Sequence, residues 1–327
     1  MKKALRGALV GFGQVAEKAH LPGFAKAGGF ELAAVAEASP RRLEAARAAL
    51  PRARFYRTLE ELLAVEEGLD FVDIATPPYL HGEQTLAALK AGCHVLCEKP
   101  LTLDLEHMQS IYAASEQSGR AVFVVHNWAY SPQWQKVFEL ARATGPVSHV
   151  QLSVLRLQPA AGAEDGWRRD GAKAGGGILV DHGWHALYLL HRLIEKQPGR
   201  LTAALDEAHP GRCEDSVSVF LEFPAATAAM HLTWRSALRY NGALIHAQNA
   251  TIELRDDEVA LRRDGDPAKL FSFPQRLSAG SAHPDWFAAM LPDFKRAVED
   301  PSASARNRQE ADFCLKTVLR VYHGKRA

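Results

Sequence analysis

The first third of the chain alternates short apolar runs with longer segments of mixed polarity. The apolar runs cover residues 4–12, 30–38, 69–78, 94–100 and 121–127, and helical patterns lie between them over 14–27, 39–50, 80–91 and 105–118. Buried strands that alternate with helices pair in parallel, because each helix returns the chain to the edge where the next strand starts. The pattern therefore predicts an α/β domain with a doubly wound parallel sheet.

After residue 126 the apolar positions recur with a period of two. Residues 147–157 and 216–223 alternate apolar and polar side chains, and residues 228–236 follow the second run after a short turn. This alternation is typical of antiparallel strands with one face covered and the other in solvent. With an apolar helix over 178–194 and two helices in 285–323, it predicts an α+β domain with a large, mostly antiparallel open sheet. We expect two domains, 1–125 and 126–327.

Composition and charge exclude several classes of function. The chain has 327 residues, more than a single core usually fills, and its formal net charge is +1. So balanced a charge argues against nucleic acid as a partner, and no apolar run is long enough to suggest a membrane span. The first apolar run leads directly into a glycine turn, so we interpret it as a strand and not as an export signal. Four cysteines fit free thiols in a reducing cytoplasm.

The turn after the first strand has the spacing of a dinucleotide-binding loop. Gly11 permits the tight turn, Gly13 lets the backbone approach a pyrophosphate, and the small Ala16 lets the helix pack on the strand. The candidate phosphate-binding residues are Gly11, Phe12, Gly13, Gln14 and Val15. Such a turn also occurs without a ligand, so the motif alone leaves both readings open.

The end of the second strand bears on the choice of cofactor. Glu37 stands where a carboxylate would bind the adenosine ribose hydroxyls, which favours NAD. Arg41 and Arg42 follow closely and could hold a 2′-phosphate, so NADP stays open. The alternative for both arginines is the solvated start of a helix.

Residues 70–106 resemble the most characteristic segment of the glucose–fructose oxidoreductase / inositol dehydrogenase (Gfo/Idh/MocA) family. The matching features are Thr76-Pro77 at a strand end, His81 at the start of the next helix, and Glu98-Lys99-Pro100 at the end of a strand. Ligands of parallel sheets bind at these carboxyl ends, which supports the comparison.

Residues 175–190 are similar to the second signature of the same family. A glycine run leads into a helix that carries Asp181 and, four residues later, His185. The resemblance spans essentially the whole chain. It implies an N-terminal Rossmann domain that binds NAD or NADP and an enzyme that transfers a hydride between nicotinamide and a secondary hydroxyl or ketone. The implied substrate is a sugar, a cyclitol or a related polyol.

The resemblance also implies the site residues. In it, Lys99 polarises the reacting oxygen, His185 is the general base, and Asp181 orients His185. The implied cofactor contacts are Thr76, Pro77, His81, Glu98, Lys99 and Asn127, besides Glu37, Arg41 and the glycine loop. The implied substrate contacts are Lys99, Asn127, Trp167, Arg168, Asp181 and His185. The structural alternatives are a surface Lys99–Glu98 pair and a helix-surface Asp181–His185 pair.

The sequence departs from the family pattern at two positions near the implied pocket. Tyr188 replaces a common aspartate, and Ala129 replaces a frequent arginine, so a typical family sugar does not follow. A bilin or imine-type substrate and a non-catalytic sensor or scaffold remain alternatives. We predict no metal, because His182 and His191 lie off the face of Asp181 and His185 and no cysteine joins them.

One face of the second sheet has no obvious cover in the sequence. Val217, Val219, Phe220 and Leu221 could supply apolar contacts on it. Since paired sheets would bury such a face and relatives commonly form oligomers, we predict a homodimer or homotetramer through this sheet.

Overall fold

The computed structural model describes residues 4–157, 167, 170–206 and 213–324. The chain divides into two compact units, the first formed by residues 1–127 with 282–312 and the second by residues 128–281 with 313–327. The division after residue 127 lies close to the boundary expected from the sequence. The sequence predicts that residues 282–312 lie in the second domain. In the structure they belong to the first unit.

The first unit is built on a six-stranded parallel sheet in the order β3-β2-β1-β4-β5-β6. The strands are β1 (Leu5–Val10), β2 (Phe30–Ala36), β3 (Arg54–Tyr56), β4 (Phe71–Ile74), β5 (His94–Cys97) and β6 (Val122–Val124). The order reverses between β1 and β4, as in doubly wound dinucleotide-binding folds. The predicted Rossmann architecture is confirmed.

Ten α-helices lie in the described part of the chain. They are α1 (Leu21–Ala27), α2 (Pro40–Ala49), α3 (Leu59–Val65), α4 (Pro78–Lys90), α5 (Leu105–Ser118), α6 (Pro132–Ala143), α7 (Gly171–Ala174), α8 (Trp184–Ile194), α9 (Pro284–Glu299) and α10 (Ala305–His323). Side-chain caps fix several starts: Thr58 accepts from the Glu61 amide, Asp104 from that of His107, and Ser131 from that of Trp134. None of the described helices is long and apolar enough to cross a membrane.

The second unit contains an eight-stranded sheet in the order β14-β13-β12-β11-β7-β10-β9-β8. Its strands are β7 (Val147–Leu157), β8 (Arg200–Leu205), β9 (Ser216–Glu222), β10 (Thr227–Thr233), β11 (Arg235–Ala247), β12 (Ala250–Arg255), β13 (Glu258–Arg262) and β14 (Lys269–Ser272). Neighbouring strands are antiparallel except for the parallel pair β7–β10. The mostly antiparallel sheet is as predicted, and α6 and α8 pack on it.

The sequence predicts that four apolar residues of β9 lie on one uncovered face of the sheet. In the structure they lie on two different faces. Val217, Val219 and Leu221 are buried, whereas Phe220 is 41% exposed. Successive side chains of a strand point to opposite faces, so these three valine and leucine side chains face the covered core. Of the four residues, only Phe220 lies on the other face, and the prediction for the remaining three is wrong.

Candidate active site

The two glycines of the turn after β1 serve different purposes. Gly11 has a φ of +86°, and a Cβ there would lie 2.9 Å from the Ala75 carbonyl oxygen and 2.9 Å from Thr76 Cγ2. The fold itself therefore requires glycine at position 11. At Gly13 an added Cβ would meet no atom of the described residues within 4 Å, so packing does not explain this glycine. The open space beside Gly13 fits the close approach of a pyrophosphate that the motif predicts.

The other loop residues are largely engaged by the protein. Ala16 is fully buried in an apolar cluster, and the side chains of Phe12 and Val15 pack with it, while Gln14 is exposed. The Phe12 amide donates to Glu37 Oε2 at 2.6 Å. Phe12 therefore holds the loop in shape, and its amide is not available to a phosphate.

Glu37 joins the glycine loop to the end of β2. It is 7% exposed, and its Oε1 accepts from the Ser39 amide at 2.7 Å while Oε2 accepts from Phe12. Each carboxylate oxygen keeps further acceptor capacity, which fits a ribose hydroxyl. Arg41 is exposed and Arg42 half-buried at the start of α2. The arrangement around Glu37 suits NAD.

His81 connects the two loops that follow β4 and β5. Its Nε2 lies 2.7 Å from the Thr76 carbonyl oxygen and its Nδ1 lies 2.6 Å from the Pro100 carbonyl oxygen, and the ring is almost fully buried. The Thr76 hydroxyl donates to Gln84 Oε1 at 2.6 Å. Since both ring nitrogens of His81 lie against backbone carbonyl oxygens, this residue positions the two loops, and its contact with the cofactor stays a prediction.

A buried cluster at the ends of β4 and β5 was missed from the sequence. The His20 ring lies with Nδ1 2.8 Å from Asp73 Oδ2 and Nε2 3.0 Å from Glu98 Oε1, and it stacks on Phe287 with a centroid distance of 4.1 Å. His20 and Asp73 are fully buried, and Glu98 is nearly so. Only a protonated imidazole can donate to two carboxylates at once.

The electrostatics of this cluster favour the imidazolium. Burial lowers the pKa of His20, but the charges and hydrogen bonds of Asp73 and Glu98 outweigh it and raise that pKa to about 10. Burial raises the pKa of Glu98, but the His20 hydrogen bond and charge and the Lys99 charge hold it below its usual value. Glu98 is therefore ionised and oriented by His20.

Lys99 follows β5 at the carboxyl edge of the sheet. Its amide donates to Glu98 Oε2 at 3.0 Å, and the Lys99–Pro100 peptide bond is cis. His20 fixes Glu98, and Glu98 in turn fixes the backbone at Lys99. The structure thus gathers Glu98 and Lys99 at the edge where parallel sheets bind ligands.

Asn127, after β6, has a polar atom that the protein leaves unsatisfied. Its Oδ1 is buried and has no hydrogen-bond partner among the described residues. Buried polar atoms without a partner are rare and call for a ligand or a water. This supports the predicted role of Asn127 as a binding residue.

In the second unit, the glycine run before α8 packs against Glu214. A Cβ on Gly177 would lie 2.0 Å from the Glu214 carbonyl oxygen. The Glu214 carboxylate accepts from the Gly177 amide at 2.9 Å, from the Leu179 amide at 3.0 Å, and from the Tyr322 hydroxyl at 2.8 Å. A carboxylate at this position stabilises the exposed amides that start a helix. Sequence reasoning missed Glu214, which is 37 residues from Gly177.

The predicted Asp181 and His185 lie on successive turns of this helical segment. Asp181 is in a π-helical turn (Leu179–Gly183), and His185 is in the first turn of α8. Such wide turns are frequent at functional sites. The Asp181 carboxylate is 42% exposed and lies 3.5 Å from His182 Nδ1.

His185 has an orienting partner that the sequence reading noted only as a departure from the family. Its Nδ1 lies 2.8 Å from the Tyr188 hydroxyl, which accepts from the Trp128 amide at 3.0 Å. The His185 ring also stacks on Trp128, with a centroid distance of 4.4 Å and an interplanar angle of 7°. When the Nδ1 proton is on His185 and donated to Tyr188, Nε2 carries the lone pair that can accept a proton.

The remaining predicted residues are less informative. Ala129 is buried, and its carbonyl oxygen accepts from Gln135 Nε2 at 2.6 Å. Trp167 is half-buried, and Arg168 lies outside the described residues. Among the described residues, no group of three or more histidine, cysteine, aspartate or glutamate side chains could hold a metal ion.

Comparisons with known proteins agree with both units. A model described as the oxidoreductase family with an NAD-binding Rossmann fold (GFO_IDH_MocA) matches residues 5–126, and the GFO/IDH/MocA C-terminal domain model matches residues 135–253. The uncharacterized oxidoreductase ORF334 of Rhizobium meliloti is 30% identical over 246 residues, which cover 72% of this chain and 70% of that protein.

Two further relatives carry a named activity. The 1,5-anhydro-D-fructose reductase of Ensifer adhaerens is 28% identical over 65% of this chain and 69% of its own length. Levoglucosan dehydrogenase, solved with NADH and levoglucosan, has the same fold, with a TM-score of 0.80, 22% identity, and coverage of 97% of this chain and 98% of that chain. The first unit is an NAD-binding Rossmann domain, and the chain belongs to the Gfo/Idh/MocA family of oxidoreductases.

Proposed function

We propose that the protein transfers a hydride between NAD and a secondary hydroxyl or ketone of a sugar, a cyclitol or a related polyol. The observation that carries the proposal is the hydrogen bond between His185 Nδ1 and the Tyr188 hydroxyl, which presents an oriented imidazole for proton transfer. The sugar substrates named for two relatives support the substrate class.

Each residue has a defined task in this reaction. The nicotinamide, when bound, accepts or supplies the hydride. Lys99 donates a hydrogen bond to the reacting oxygen, and His185 Nε2 takes the hydroxyl proton while Tyr188 holds Nδ1. The Asp181 carboxylate stabilises the imidazolium that forms. Glu98, held by His20, keeps the Lys99 backbone in place.

The assignment of Lys99 is tested by Lys99→Met, which keeps the length of the side chain and removes its charge. We expect kcat to fall by about a thousandfold or more, since proton transfer and charge stabilisation both weaken. Cofactor affinity, measured by quenching of tryptophan fluorescence with NADH, should change little. The matched control is Lys90→Met at the end of α4. An unchanged kcat in Lys99→Met would contradict the proposed role of Lys99 in the active site.

We further propose a cytoplasmic enzyme that acts as a homodimer or homotetramer through the second sheet, without a nucleic acid or membrane partner. No disulfide joins the four cysteines, all of which lie in the described part of the chain, and this suits a reducing compartment. Phe220 is exposed on the sheet.

A further inference from the structure

Arg156 is a charged residue in an apolar row of β7. Val150, Leu152 and Val154 are buried on the covered face of the sheet, and Arg156 takes the next place in the row. It is only 5% exposed. The period of the strand therefore places a guanidinium where the three preceding positions carry aliphatic side chains.

The protein leaves one nitrogen of this buried guanidinium without a hydrogen-bond partner. Arg156 Nη1 is buried and has no hydrogen-bond partner among the described residues. The carboxylate of Asp256, one of its charged neighbours, already accepts from the amide and the hydroxyl of Ser278. A buried donor without a partner is unfavourable and calls for a ligand or a water.

The surroundings keep Arg156 protonated. Burial and the nearby Arg239 lower the pKa of Arg156 to about 10, whereas Asp256 and Asp181 raise it. The group is thus charged at neutral pH. Arg239 donates hydrogen bonds to the Ser278 and Gly280 carbonyl oxygens, and neither of these acceptors is a carboxylate.

Arg156 is adjacent to the candidate base. Its guanidinium carbon lies 6.0 Å from the centroid of the Trp128 ring, and this ring stacks on His185. Asp181 is close enough to influence its pKa. Arg156 and His185 therefore share Trp128 as a neighbour.

We propose that Arg156 binds a carboxylate of the substrate, which makes the preferred substrate an acidic sugar such as a uronate or an aldonate. The inference rests on the proposed function and narrows its substrate class. A guanidinium matches a planar carboxylate with two parallel hydrogen bonds. Neutral sugar hydroxyls would offer the open Nη1 only an uncharged acceptor, and the charges of Asp181 and Asp256 repel a phosphate dianion more strongly than a carboxylate.

The test compares matched acidic and neutral sugars in the NAD-loaded protein. The probes are D-glucuronate with D-glucose, and D-galacturonate with D-galactose, and the quantity measured is the ratio of their kcat/KM values. We expect wild type to favour the acids, and Arg156→Met to lower that ratio by about a hundredfold. Arg156→Lys keeps the positive charge but lacks the planar guanidinium that donates two parallel hydrogen bonds, and it should lower the ratio by about tenfold. A ratio that is unchanged in Arg156→Met overturns the inference.

A stability measurement separates binding from a purely structural role. Without ligand, Arg156→Met should unfold at the same or a higher temperature than wild type, because it removes a buried donor without a partner and the cost of burying a charge. The control is Arg200→Met, an exposed arginine of the same unit paired with Glu222 at 3.7 Å. A large drop in the melting temperature of Arg156→Met would show that the residue is structural and would overturn the inference.

Binding distinguishes failure of this inference from failure of the proposed function. If no sugar is turned over, but glucuronate binds wild type and not Arg156→Met by calorimetry, the inference stands and the proposed reaction fails. If neutral sugars are turned over and the acids are neither preferred nor bound, the proposed function stands and the inference fails.

Discussion

His20 shows how a residue outside the recognised motifs can control them. It lies between Asp73 and Glu98, which are 53 and 78 positions away in the sequence, so no local sequence pattern indicates the cluster. Sequence signatures identified Glu98 and Lys99. They gave no reason for the orientation of Glu98, which follows from the hydrogen bond that His20 donates.

The raised pKa of His20 makes a prediction about stability. Its folded pKa, about 10, is above its ordinary value of 6.5. The stability contributed by His20 is therefore fully present below pH 6.5 and is lost as the pH rises through about 10. At pH 6, His20→Asn should lower the free energy of unfolding by roughly 3 kcal/mol or more, since it leaves two buried carboxylates without their partner. The difference from wild type, measured by urea titration, should shrink towards pH 10.

The control for His20 is His107, whose Nδ1 pairs with Asp104 in the same unit but is largely exposed. His107→Asn should cost less than about 1 kcal/mol, as for other surface pairs. Equal losses in the two variants, or a loss in His20→Asn that does not depend on pH, would contradict the account of the cluster.

At the scale of elements, the sequence predicted strands with a strong apolar periodicity and missed strands in which that periodicity is weak. Strands β1, β2, β4, β5, β7 and β9 lie within the predicted runs, because their buried faces give clear apolar patterns. The short β3 and the region 235–272 were not assigned. β3 has only three residues and includes the exposed Arg54, the first six residues of β11 are not buried, and most of β14 is exposed. β12 and β13 bury only two and three residues, so their pairing depends on neighbouring strands.

The glycine run before α8 gives a prediction for one element. Gly177→Ala would place a Cβ 2.0 Å from the Glu214 backbone, whereas a Cβ on Gly171 would meet no described atom within 4 Å. Gly177→Ala should therefore lower the free energy of unfolding by about 2 kcal/mol or more, and Gly171→Ala should change it little. Denaturant titration of both variants is the measurement. If they were equally stable, the packing of the glycine run on Glu214 would be disproved.

At the scale of the whole molecule, the sequence indicated two units but not that each of them is built from two separate segments of the chain. Residues 282–312 return to the first unit, where Phe287 stacks on His20 and Glu310 Oε2 lies 2.9 Å from His126 Nδ1. These contacts join residues more than 180 positions apart, which hydrophobic patterning cannot reveal. The homodimer or homotetramer stays a prediction.

The central claim is hydride transfer between nicotinamide and a carbinol carbon of a sugar. The most direct measurement uses NADH with deuterium at the transferred position of the nicotinamide, incubated with the protein and a panel of neutral and acidic keto sugars. We predict a product in which the deuterium is bound to the carbon of the new secondary alcohol, detected by mass spectrometry and NMR. Oxidation of the labelled NADH without deuterium on the sugar carbon would contradict the account.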